Sequence, residues 1–285
     1  MKEYLSPDDL ASTVILMRDV DTRAILLVEG QSDCAILDGH LDDSVAVTLP
    51  GHGKQNVCGA IAALQAQGVT TVAGVVDADF DWLADEVCPG VITTEYYDFD
   101  VDLIRCPGVL TRVVGAHFDR EAMRSLLEET LEDTVASWLL ETASTLGALR
   151  LVCRRDGLEL SLQKFPIEEV FDVRDLRVDV VRLVELAVQR SDAVVVDPTQ
   201  LRVLVEAELK AATDPGRLAS GHDACAVLAL VGRRRLGARG VGREVIERAL
   251  RSAVGCAEFS TLRVAQDLTR WADGLGVWLW EHHAA

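Results

Sequence analysis

The chain has 285 residues, of which 49% are hydrophobic and 26% charged, and a formal net charge of −18. This length suits one large domain or two closely packed ones, and the composition excludes a disordered chain. No apolar run reaches the roughly 18 residues needed to cross a bilayer, and the acidic balance excludes a general nucleic-acid coat protein, which needs a basic face to displace counterions.

The segment from Met1 to Asp9 carries acids and a proline where a signal peptide would be basic and apolar, so a cytoplasmic chain with no membrane contact is expected. Seven cysteines, odd in number and without a C-x-x-C pair, read as reduced thiols rather than a disulfide frame or a zinc ribbon. The acids are concentrated early: residues 1–120 hold 7 basic and 20 acidic side chains.

Ser6-Pro7 starts a helix that runs to about Arg18, with a capping hydroxyl followed by proline at the first helical position. Ala24 to Val28 is a continuous apolar run of strand length that ends at Glu29-Gly30. Asp33 to Leu41 fits a second helix, Ser44 to Leu49 a second strand, Asn56 to Gln67 a third helix, and Val69 to Val76 a third strand ending at Asp77. Fully apolar strands alternating with helices predict a parallel sheet covered on both faces. Val91 to Thr94 reads as a further strand, leading into the acidic run that contains Asp98, Asp100 and Asp102. Asp119 opens a helical stretch to about Thr145, and Leu149–Arg154 with Leu158–Leu162 reads as a hairpin turning at Asp156-Gly157. From Arg177 onward the chain reads as helices broken at Asp197-Pro198, Asp214-Pro215 and Gly237 to Gly242. The expected fold is an α/β half, residues 1–118, followed by a mostly helical half, 119–285, with its hairpin near 149–162.

In an open parallel sheet, functional groups gather at the carboxyl ends of the strands. There the first strand offers Glu29, and the third offers Asp77-Ala78-Asp79-Phe80-Asp81. Such hard oxygen donors suit Mg²⁺ or Mn²⁺, which neutralise phosphate oxygens and activate water. A lone D-x-D is more often a solvated turn, and a glycine after a strand often only makes the bend; it is the joint placement of both elements at neighbouring strand ends that points to chemistry. Gly51-His52-Gly53-Lys54 lacks the glycine spacing and the Ser/Thr of a P-loop. Lys54 at a helix start either meets a phosphate or is a solvated cap residue. His222 in Gly221-His222-Asp223 either contacts substrate and moves protons or is an ordinary neighbour of a cap. Arg233, Arg234 and Arg235 lie in a segment, 216–251, that holds eight basic and three acidic side chains. Three readings of this cluster stand side by side: a phosphate grip, a salt-bridge partner for the acidic half, and a docking face for another protein.

Val28-Glu29-Gly30-Gln31-Ser32-Asp33 together with Val75-Val76-Asp77-Ala78-Asp79-Phe80-Asp81 resembles the paired acidic elements of TOPRIM domains, the fold shared by topoisomerases, primases and OLD-type nucleases. Gly53-Lys54-Gln55-Asn56-Val57, Tyr96 to Asp100 and Gly221-His222-Asp223 are similar to motifs of a bacterial TOPRIM family that accompanies ABC-type ATPases and includes the nuclease effector of the PARIS anti-phage system. The resemblance implies that Glu29 is a metal ligand or general base, that Asp77 and Asp79 hold Mg²⁺ or Mn²⁺, and that Asp81 is a further ligand. Asp33 would orient the Glu29 loop or cap the next helix. The implied function is metal-dependent cleavage of RNA, transfer RNA included, or of DNA, by an anti-phage effector with an ABC-type ATPase partner and a homodimeric assembly. The alternative is a non-catalytic regulatory or binding subunit of that ATPase. A topoisomerase is not expected, since the tyrosines are limited to Tyr4, Tyr96 and Tyr97 and no DNA-binding module carries one.

Overall fold

The computed structural model describes residues 6–83, 88–130, 132–191 and 196–281; the start of the acidic N-terminal segment lies outside them. Ser6 caps helix α1 (Pro7–Arg18) through its hydroxyl, which accepts the Asp9 N–H, while the Asp9 carboxylate accepts the Ser6 N–H. Strand β1 (Ala24–Val28), helix α2 (Gln31–Asp38), strand β2 (Ala46–Pro50), helix α3 (Lys54–Ala66), strand β3 (Val72–Val76) and strand β4 (Val91–Thr93) follow. All strand pairs are parallel, in the order β2-β1-β3-β4. Every residue of β1 and of β3 is buried, as expected of central strands covered on both faces. On one face Ile25, Leu27, Val72 and Val76 pack against Leu10 and Val14 of α1 and Val57, Ile61 and Leu64 of α3.

The chain continues through α4 (Phe99–Arg105), α5 (Val109–His117), α6 (Arg120–Thr130), α7 (Val135–Asp156) and α8 (Ile167–Val170). Strands β5 (Phe171–Asp172) and β6 (Arg177–Val178) form a small antiparallel hairpin, and α9 (Val180–Gln189), α10 (Pro198–Ala211), α11 (Gly221–Arg234) and α12 (Arg243–Ala253) complete this stretch. The last elements are α13 (Cys256–Phe259) and α14 (Arg263–Leu275). Two compact units result: Met1–Glu95 with Val254–Ala285, and Tyr96–Ala253. The break expected after residue 118 falls inside the second unit, between α5 and α6.

The α/β class and the helical second half are as expected, but the hairpin is displaced. Leu149 to Arg154 belongs to α7, and Leu158 to Leu162 forms no strand. Asp156-Gly157 is a helix end rather than a hairpin turn: Gly157 takes the left-handed conformation, φ 66°, and its N–H reaches back to the Cys153 carbonyl. Leu146, Leu149 and Cys153 continue a buried face at helical spacing.

Within the first unit the C-terminal segment is tied to the end of α2. The Asp42 N–H donates to the Leu279 carbonyl and the Glu281 N–H to the His40 carbonyl. The His40 ring stacks on Phe259 at 4.1 Å, and Phe259 meets Trp280 edge-on. Trp280 is thus a packing residue, its indole N–H held by Thr269 Oγ1 at 2.8 Å. In the second unit, a Cβ added to Gly147 of α7 would overlap the Leu218 carbonyl. Because backbone cannot rotate aside, Gly147→Ala is expected to cost about 2–3 kcal/mol, read as a lowered urea midpoint. A midpoint equal to the parent's would mean that Gly147 of α7 is not in contact with Leu218.

Candidate functional site

Glu29 follows β1 directly and Asp77 follows β3 directly. The register pairs Val28 with Val75, so the two acids leave the same edge of adjacent central strands. Glu29 Oε1 accepts the Asp77 N–H at 3.0 Å. Burial is the main force raising the Glu29 pKa, and the Asp79 charge adds to it against the Asp77 N–H and the Lys54 ammonium. Asp33 has the part expected of it: its Oδ2 accepts the Gly30 N–H at 2.9 Å, closing the turn that carries Glu29 into α2. The Gly53 N–H donates to the Glu29 carbonyl at 3.0 Å, and at φ 119° Gly53 lets the chain bend there into α3.

Lys54, the first residue of α3, reaches across this edge. Its Nζ lies 3.1 Å from Asp79 Oδ2 and 2.7 Å from Asp81 Oδ2, and it donates to the carbonyls of Asp77 and Ala78. Burial works against the Lys54 charge, but Asp81 and Asp79 prevail and hold its pKa above the ordinary lysine value. Asp79 itself has φ 48°, a conformation that a short acidic side chain tolerates better than most. The following turn is pinned by the Ala78 N–H, which donates to Thr94 Oγ1 at 2.8 Å. The oxygens of Asp77, Ala78, Asp79 and Asp81 therefore converge on one cationic nitrogen, and their donor chemistry suits a hard divalent ion.

In the second unit the sequence-predicted His222 is joined by Asp100 of the acidic run and by Glu247, which the sequence did not mark. His222 Nδ1 lies 2.7 Å from Glu247 Oε1 of α12 and 3.9 Å from Asp100 Oδ2 of α4. Arg251 clasps Asp100 with two hydrogen bonds of 3.0 and 2.8 Å, and Arg243 Nε reaches Glu247 at 3.1 Å. Asp98 caps the start of α11, accepting the Gly221 N–H and the Ser220 hydroxyl; burial first, and then the Asp100 charge, push its pKa up to about 7. Asp100, His222 and Glu247 each offer a ligand atom within 4.8 Å of the others, and this group could hold a metal ion. Among the described residues no other three His, Cys, Asp or Glu side chains meet so closely; the strand-end acids meet through Lys54 and the Asp77 amide instead.

The Glu247 hydrogen bond raises the His222 pKa against its burial, with the Asp98, Glu247 and Asp100 charges adding to the rise. A histidine whose folded pKa lies above its unfolded value, here 6.5, stabilises the fold below that value and loses the contribution as the pH rises through the folded pKa. The melting temperature of the parent is therefore expected to exceed that of His222→Gln at about pH 6, with the gap closing by about pH 9. A gap constant over that range would show that His222 does not titrate as described.

The three clustered arginines diverge. Arg235 pairs with both oxygens of Glu129 at 2.9 and 2.7 Å and donates to the Val173 carbonyl, Arg233 donates to the Val241 carbonyl, and Arg234 is exposed at the end of α11. Two of the three thus tie segments of the second unit together. All seven cysteines are free thiols, and no described helix is long and apolar enough to cross a membrane.

No family model and no curated protein matches the chain.

Proposed function

We propose that the chain is a divalent-metal-dependent nuclease of TOPRIM type, cleaving phosphodiester bonds of RNA or DNA at the edge formed by Glu29, Asp77, Asp79 and Asp81. One observation carries this reading: the acids that follow β1 and β3 leave the same edge of adjacent parallel strands, one residue apart in register, with Glu29 Oε1 hydrogen-bonded to the Asp77 N–H. Bound Mg²⁺ or Mn²⁺ would neutralise phosphate oxygens and lower the pKa of a coordinated water. Asp77, Asp79 and Asp81 would hold the ion, and Glu29 would serve as a ligand or take up the proton of the attacking water. Lys54, already among these oxygens, would turn its ammonium toward the scissile phosphate once a metal replaced it on Asp79 and Asp81. The resemblance to the PARIS effector makes transfer RNA the first substrate to test and an ABC-type ATPase the partner to test.

A second reading has its own support. Lys54 neutralises Asp79 and Asp81 within the chain, and the net charge of −18 repels nucleic acid. Both features suit a regulatory subunit that borrows a partner's basic surface. The deciding experiment is cleavage of labelled transfer RNA, single-stranded RNA and plasmid DNA with Mg²⁺ or Mn²⁺, alongside EDTA and the Glu29→Gln variant. Cutting that needs metal and disappears in the variant supports the nuclease. Cutting that persists in the variant, or none with the ATPase partner present, removes it.

A further inference from the structure

A cavity of about 560 Å³ opens in the first unit between Lys54, the β3–β4 edge and α14. Its floor is apolar, with Val76, Val91 and Ile92. At its rim Trp82 is 49% exposed, one of the few large apolar side chains so placed. Arg263 and Arg270, two turns apart on α14, reach the same cavity, with Asp267 between them pairing with both. The distribution of charge is selective. The first unit holds six lysines and arginines against 20 acids, and three of those six, Lys54, Arg263 and Arg270, line this one cavity. Such a grouping in so acidic a unit calls for an anionic ligand, while the flat indole and apolar floor call for a planar, weakly polar one. A nucleotide is both.

We propose that this cavity binds one nucleotide, its base stacked on Trp82 over the apolar floor and its phosphate held by Arg263 and Arg270. The volume lies within the range of small-ligand sites, aromatic side chains accept any base face, and guanidinium groups match phosphate geometry. Asp81 lines the cavity and also pairs with Lys54. The inference thus rests on the nuclease reading, whose substrate strand would lay a nucleotide beside the acids; a free nucleotide presents the same chemistry.

The test is binding in EDTA, where no cleavage occurs, of 5′-AMP and of six-residue single strands of adenylate and deoxyadenylate, with inorganic phosphate as the control. Trp82→Ala is expected to weaken nucleotide binding by about tenfold or more, and the Arg263→Ala/Arg270→Ala pair to weaken it and flatten its salt dependence. These side chains are exposed, so far-UV circular dichroism should match the parent. Binding of AMP alone would identify a free nucleotide as the ligand, and binding of the strands alone a nucleotide within the substrate; either supports the site. Absence of binding by every nucleotide probe, affinity unchanged in both variants, or equal binding of inorganic phosphate would overturn it. Glu29→Gln separates the two proposals. If it loses cleavage while Trp82→Ala binds like the parent, the cavity assignment alone fails. If nucleotides bind through Trp82 but no metal-dependent cutting is found, the nuclease reading alone fails.

Discussion

On the proposed nuclease reading, Glu29→Gln is expected to reduce metal-dependent cleavage by about a hundredfold or more while leaving the melting temperature within about 2–4 °C of the parent's. The substitution keeps the size of the side chain and leaves a carbonyl oxygen able to accept the Asp77 N–H, so the turn after β1 retains its tie to β3. What it removes is the charge. Burial raises the folded-state pKa of Glu29, so ionising this carboxyl disfavours the native state as the pH rises above the ordinary glutamate value. The variant has no such penalty and should equal or exceed the parent in stability near neutral pH. Loss of cutting together with loss of fold would give Glu29 a structural role. Loss of cutting with unchanged melting would assign it to the chemistry.

Arg251→Ala should be the most destabilising single change in the second unit, by about 3–5 kcal/mol. Asp100 is 4% exposed and gives both its oxygens to Arg251. Removing the guanidinium leaves a carboxylate in the interior beside Glu247, with the His222 ring 3.9 Å away. Asp100→Asn should then recover part of the loss, because the amide no longer needs a counter-ion. A double-mutant cycle by urea denaturation is expected to give a coupling of about 1–3 kcal/mol. A cost below about 1 kcal/mol for Arg251→Ala would mean that water reaches Asp100 and that the pair behaves as a surface contact.

The strand-end acids were legible in the sequence because their position follows from the strands alone. The runs 24–28 and 69–76, of strand length and alternating with helices, read as central parallel strands, of which the second forms over Val72–Val76, and the residues that end them then share an edge. Asp33 was legible for the same reason, as its target lies three residues away. The misplaced hairpin shows where local reading fails: Leu149 to Arg154 is too short to distinguish period 2 from period 3.6, and Asp-Gly serves a helix end as well as a turn. Glu247 and Arg251 stand far from Asp100 in the chain, and no spacing rule joins them. A weaker signal was available, since Glu247 sits beside Ile246 and Leu250 on the buried face of α12, where an acid needs a partner. Arg263, Asp267 and Arg270 form a stripe on one face of α14 that reads as a solvated surface until the fold sets it against Lys54 and Trp82.

The first unit is assembled from the two ends of the chain, with 158 residues of the second unit between them. On the ribosome, the strands that bear Glu29 and Asp77 emerge early, but α14, with two of the three cations at the cavity beside Trp82, is translated only after the whole helical unit. A nascent or prematurely terminated chain would display the acids without the arginines of that wall. Under the proposed nuclease reading, this order of synthesis would act as a safety interlock: a segment made late completes what the early acids begin.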